Sequence, residues 1–157
     1  MGFESSQWVW FNGKCVPWQD ATVHVSAHAL HYGSGVFEGI RCYQTSAGPA
    51  LFRVDAHIER LYASAATYRM KIPYSKEELI EAIRETVWRN GFTDCYVRPV
   101  CCRGSASLSV HPRNCPVEVV ILDLILTEIL LRVGTGREKY YRRGSEKAKS
   151  FHPRAPC

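Results

Sequence analysis

Residues Ser75–Cys102 read SKEELIEAIRETVWRNGFTDCYVRPVCC, and the hydrophobic period changes inside that stretch. Ser75 and Glu78 have the spacing of a capping box, in which each satisfies a backbone donor the helix start would leave open. Leu79, Ile83 and Val87 then recur on one face, and Asn90-Gly91 is a stop signal. From Cys95 to Cys102 the period drops to two, as in a strand, so Tyr96 and Arg98 share one side of it.

Working outward, Trp8-Val-Trp-Phe11 and Lys14-Cys-Val-Pro-Trp18 flank Asn12-Gly13, a hairpin signal. Residues 36–43 and 49–53 form a second predicted strand pair around the polar loop Gln44–Gly48. Asp55 is the expected N-cap of a helix with Ile58, Leu61, Tyr62, Ala65 and Tyr68 on its apolar face, ending near Met70. Val117–Leu126 is a further strand, reached through the polar loop Arg103–Pro116. Strands, two helices and strands in that order predict an α+β domain over residues 1–126, a mainly antiparallel sheet with two helices packed on it. Residues 127–157 are expected to be a divergent, basic and poorly ordered tail.

The chain of 157 residues carries a net charge of +5. Between Arg132 and Cys157 there are eight Lys/Arg against two Asp/Glu, so the basicity belongs to that segment. A uniformly basic nucleic-acid-binding domain is excluded on that ground, and no nucleic-acid partner is expected. No apolar run reaches the roughly 20 residues of a membrane span. The seven cysteines are irregularly spaced and include no C-x-x-C, which reads as reduced thiols in a cytoplasmic protein without a secretory signal.

Several groups are candidates for chemistry. His24, His28 and His31 have helical spacing that could hold a metal, but the residues around His24 look extended and no carboxylate or thiol is near. Histidines packed around a turn are the preferred reading, with no metal site. Tyr32-Gly-Ser-Gly35 is a small-residue turn of the kind that lets backbone approach a ligand. Arg41 and Arg98 lie within apolar stretches and Arg60 beside a helix's apolar face, and guanidinium groups in such places suit carboxylate or phosphate recognition as well as ordinary ion pairs. The loop 103–112 carries the exposed apolar residues Leu108 and Val110, which suggest contact with a partner or ligand.

Beyond these readings, His28-Ala-Leu-His-Tyr-Gly-Ser-Gly-Val-Phe-Glu-Gly-Ile-Arg41 resembles the signature segment of the branched-chain amino-acid aminotransferases, pyridoxal-phosphate enzymes of fold type IV. Trp10-Phe-Asn-Gly13, Ala21-Thr-Val-His-Val25, Leu51-Phe-Arg53, His57-Ile-Glu-Arg-Leu61 and Tyr96-Val-Arg-Pro99 extend the resemblance, in order, over roughly residues 8–121. D-amino-acid aminotransferase and aminodeoxychorismate lyase share the glycine-containing turn but resemble the chain less.

The resemblance implies the small N-terminal domain of that fold and transfer of the amino group of Leu, Ile or Val to 2-oxoglutarate, giving glutamate, with pyridoxal 5'-phosphate as cofactor. It implies that Arg60 binds the cofactor phosphate and that Tyr32, Phe37, Gly39, Arg41, Tyr96 and Arg98 form a wall of the substrate pocket. Leu108 and Val110 match the loop that closes a neighbouring subunit's pocket, so a dimer-based homo-oligomer is expected. The Schiff-base lysine of such an enzyme belongs to a second domain. No catalytic residue is therefore assigned here, and the chain alone is expected to be inactive. The contrasting expectation is a non-catalytic dimerisation or binding module with a polyanion-binding tail.

Overall fold

A computed structural model of the chain describes residues 6–125 and the backbone of Lys149–Ser150. Its strands are β1 (Trp8–Phe11), β2 (Lys14–Pro17), β3 (Gly35–Phe37), β4 (Ile40–Thr45), β5 (Gly48–Leu51), β6 (Cys95–Arg103), β7 (Val117–Leu124) and β8 (Lys149–Ser150). They form one sheet in the order β2-β1-β7-β6-β4-β5-β8, with β3 paired to β6, and every recorded pairing is antiparallel. A short helix α1 (His28–Tyr32) precedes β3, and the two longer helices, α2 (Val54–Thr67) and α3 (Lys76–Arg89), lie between β5 and β6. The expected α+β class and its mainly antiparallel sheet are what the chain adopts. Of the predicted tail, only Lys149–Ser150 falls within the described residues, as the strand paired with β5.

The core lies between the two helices and one face of the sheet. Ile58, Leu61 and Ala65 from α2 and Leu79, Ile83 and Val87 from α3 meet Ile40, Cys42, Cys95, Val97, Cys101, Val119 and Ile121. Along β6 from Cys95 to Cys102 the odd-numbered residues are buried and the even-numbered ones half-buried. The even set, Tyr96, Arg98 and Val100, therefore faces away from the helices.

The hairpin turn forms as its sequence predicts, with Asn12 at φ 47° and Gly13 at φ 96°. The capping box of α3 is complete: Ser75 Oγ accepts from the Glu78 N–H at 3.1 Å and Glu78 Oε2 accepts from the Ser75 N–H at 2.6 Å. Ser75→Ala is expected to cost about 1 kcal/mol in urea unfolding.

Several boundaries differ from expectation; β5 ends at Leu51 and β7 at Leu124, and four others have a clear physical cause. Helix α2 begins at Val54, so Asp55 lies in its first turn and faces the positive helix end instead of capping it. Its other end comes at Thr67, where the Arg69 N–H bonds to the Ala66 carbonyl and the Met70 N–H to the Ala65 carbonyl. That closure puts Arg69 in the left-handed region at φ 52° and leaves Tyr68 exposed. The loop expected at Gln44–Gly48 is tighter, because β4 runs to Thr45 and β5 starts at Gly48. The strand predicted over 36–43 is interrupted at Glu38-Gly39 without a change of register, since Phe37 pairs Val100 and Ile40 pairs Val97. Pro99 explains the gap: the Glu38 N–H donates to its carbonyl at 3.0 Å, but proline has no N–H to return.

Candidate functional site

The unbroken register places Phe37, Gly39, Arg41, Tyr96 and Arg98 on the sheet face away from the helices. Arg98 Nη2 donates to the Tyr96 hydroxyl at 3.2 Å, and its guanidinium lies 4.7 Å from the centroid of the Phe37 ring. Phe37 itself is 60% exposed. Arg98 Nε is buried without a hydrogen-bond partner, so this group has donor capacity the described residues leave unused. Gly39 makes the cluster possible by its size: a Cβ there would meet the Tyr96 hydroxyl and sit 2.8 Å from two ring carbons. Arg41 pairs across the sheet with Tyr96, but its Nη2 bonds Asp94 at 2.6 Å and its guanidinium lies over Tyr43.

Arg60 is on the opposite side of the sheet, reaching from α2. Its Nε and Nη2 fork onto Glu38, each at 2.6 Å, and the His57 Nδ1–H donates to Glu38 Oε2 at 2.9 Å. Glu38 is 5% exposed while the Arg60 side chain is 66% exposed, so a buried carboxylate anchors an outward-facing guanidinium. The Arg60 hydrogen bonds, joined by His57 and opposed by burial, lower the Glu38 carboxyl from 4.5 to about 2. Because the folded value is depressed, this contribution is present above pH 4.5 and lost as pH falls toward 2. Glu38→Gln is expected to flatten that acid limb, on the order of 1–2 kcal/mol after discounting for the exposed arginine, as read by urea unfolding from pH 6 to pH 2.5. Sequence reasoning gave Glu38 no role. Alternation along 36–42 puts it on the helix side, which was the available signal.

Tyr32 belongs to a third group. Its hydroxyl donates to the Leu108 carbonyl at 2.9 Å, and its ring stacks at 4.5 Å on His28. His28 is buried, with Nδ1 2.7 Å from Ser34 Oγ and Nε2–H donating to the Val110 carbonyl at 3.3 Å. Helix α1 thereby holds the loop that displays Leu108 and Val110, which are 61% and 76% exposed. Val23, Val25 and Leu30 are also exposed, and Ser26 and Ser105 hydroxyls 2.5 Å apart tie their segment to the loop. His24 and His31 are taken up locally, by Ser26 Oγ and the Val25 carbonyl. The six described cysteines are free thiols, and no described helix is long and apolar enough to cross a membrane.

An aromatic ring, a guanidinium and a hydroxyl gathered on one sheet face, with a second arginine anchored at the neighbouring strand, suit an apolar carboxylate and a phosphate. Comparisons with known proteins establish the family. The family model of amino-transferase class IV matches residues 35–133, and the chain belongs to that family. Within it, sequence and fold correspond to the N-terminal part of fold-type IV branched-chain enzymes. The branched-chain-amino-acid aminotransferase of Escherichia coli (strain K12) is 46% identical over 112 residues, 71% of this chain and 36% of that protein. A putative branched-chain-amino-acid aminotransferase of Methanocaldococcus jannaschii is 44% identical over 68% of the chain and 36% of its own length. Among solved structures, the T.th. branched-chain amino acid aminotransferase complexed with N-(5'-phosphopyridoxyl)-L-glutamate superposes with a TM-score of 0.76 at 46% identity, covering 79% of this chain and 42% of that one. The chain thus spans about two-fifths or less of the relatives it matches.

Proposed function

We propose that this chain supplies one wall of the active site of a pyridoxal-phosphate-dependent transaminase acting on branched-chain amino acids with 2-oxoglutarate as acceptor. The Phe37–Tyr96–Arg98 cluster carries the reading. An exposed ring offers apolar contact to a Leu, Ile or Val side chain, while Arg98 and Tyr96 offer donors to the side-chain carboxylate of glutamate. One pocket can then accept both partners of the exchange. Arg41 stands beside this wall, and its bond to Asp94 fixes its direction.

The residues fit the cofactor's anionic end. Strand β3 pairs with β6 on one side, so Arg60 from the helix side and Phe37 from the open side can both serve a ligand lying along its other edge. Arg60 would hold the phosphate. The cofactor, when bound, supplies an electron sink for the carbon losing its proton. Of the lysines with described side chains, Lys76 is paired with Glu59, Lys14 lies on edge strand β2 and Lys71 is exposed between α2 and α3, so none suits the proton-moving role. We assign that lysine to a region outside the described residues. The exposed patch around Leu108 and Val110 fits a second copy of the chain, in a dimer that completes each pocket. The free thiols accord with a reducing, cytoplasmic setting.

The direct test titrates the chain with glutarate, which keeps the side-chain carboxylate of glutamate without its amine, and follows Arg98 Nε–Hε by NMR. Binding that Arg98→Ala lowers at least about tenfold is expected, roughly 1.4 kcal/mol. No response at Arg98 would remove the reading. The chain alone should form no glutamate from leucine and 2-oxoglutarate; a rate abolished by borohydride would show a Schiff-base lysine within it.

A further inference from the structure

We propose that Glu38 is a positioning residue for anion binding: its buried carboxylate aims Arg60 along the edge of β3 that no described strand pairs with. This rests on the reading of Arg60 as the phosphate ligand. An arginine that is 66% exposed would ordinarily sample many rotamers, and most would point it away from any fixed site. Here two of its nitrogens are held by one carboxylate, both at 2.6 Å, and that carboxylate is itself held by the Glu38 N–H bond to Pro99 and by His57. The fork leaves the Nη1 edge of the guanidinium to face a ligand. Glu38 also lies between Phe37 and Gly39, whose positions shape the cluster on the other face, so one short segment sets both halves of the site.

Glu38 has an opposing effect, because its negative charge repels an anion beyond the guanidinium. At 0.15 M salt the screening length is about 8 Å, so this repulsion is muted, whereas loss of the fork frees every rotor of the arginine. Orientation is therefore expected to outweigh charge at that salt, and the balance should shift toward charge as salt is lowered.

The test follows the Arg60 Nε–Hε resonance while the chain is titrated with inorganic phosphate at pH 7 and 0.15 M salt. Wild type should show a saturable shift at Arg60 that pyridoxamine 5'-phosphate also produces and pyridoxamine does not. Glu38→Gln is expected to weaken phosphate binding at least about fivefold, roughly 1 kcal/mol, with a smaller deficit at low salt. Glu38→Asp keeps a buried charge for Arg60 and His57 but withdraws the acceptor by one carbon, and should weaken binding a few-fold while preserving the fold. If both variants bind phosphate as tightly as wild type or tighter, Glu38 does not position Arg60. If wild type shows no shift at Arg60, or Arg60→Ala leaves phosphate binding unchanged, the phosphate reading itself fails and Glu38 loses its proposed purpose with it.

Discussion

At pH 8, Asp123→Asn is expected to stabilise the fold by roughly 2–4 kcal/mol, and at pH 4 to change it little. Asp123 is fully buried on β7, accepts from Asn90 Nδ2 at 3.0 Å, and has its other carboxylate oxygen buried without a hydrogen-bond partner. Burial, only partly opposed by the Asn90 bond, pushes its carboxyl from 3.8 up to about 7. The folded value lies above the unfolded one, so the folded state holds the proton between those limits and loses stability as pH rises through them. Above pH 7 the full cost of burying the charge is present. At 1.36 kcal/mol per pH unit the interval corresponds to an upper bound of roughly 4 kcal/mol. Asparagine has the same shape and no charge, so its stability should be nearly flat over that range. Urea unfolding of both chains at pH 4, 6 and 8 checks this. A parallel pH dependence in the two would mean that Asp123 does not titrate in this window.

Gly39→Val should cost at least about tenfold in glutarate affinity, with a loss of about 1–3 kcal/mol in stability. The backbone at Gly39 is not the obstacle, since it is absent from the residues with positive φ. The Tyr96 ring occupies the space that a side chain would need. To accommodate valine the ring must swing aside, which breaks the 3.2 Å bond from Arg98 and removes the hydroxyl from the cluster. The NMR titration used for Arg98→Ala reads the affinity, and thermal unfolding reads the stability. Unchanged affinity would show that the Tyr96 hydroxyl has no part in the pocket.

The local chemistry of the chain was legible in its residues. Asn12-Gly13 made its hairpin, Ser75 and Glu78 closed their capping box, and the alternation along Cys95–Cys102 put Tyr96 and Arg98 on the same side. The apolar faces of both helices were also correct at Ile58, Leu61, Leu79, Ile83 and Val87. Such signals involve residues a few positions apart, and their physics needs no distant partner.

What that level did not show depended on pairings across the fold. Residues 36–43 looked like one strand because the sequence around Glu38 does not show that Pro99 stands opposite it. Arg41, Arg60 and Arg98 looked equivalent as candidate anion ligands, yet each has a different environment: Asp94 for the first, buried Glu38 for the second, Phe37 and Tyr96 for the third. Tyr32 was grouped with them by resemblance, and the bond from its hydroxyl to the loop carrying Leu108 was not legible there. The burial of Asp123 was invisible in its alternating strand, since its cost arises from the helix and hairpin that close over it. Alone, then, the sequence determined most of the elements, the class of fold and that Tyr96 and Arg98 share a face. Tertiary structure decided which charges are paired, because ion pairing and burial are set by residues distant in the chain and near in space.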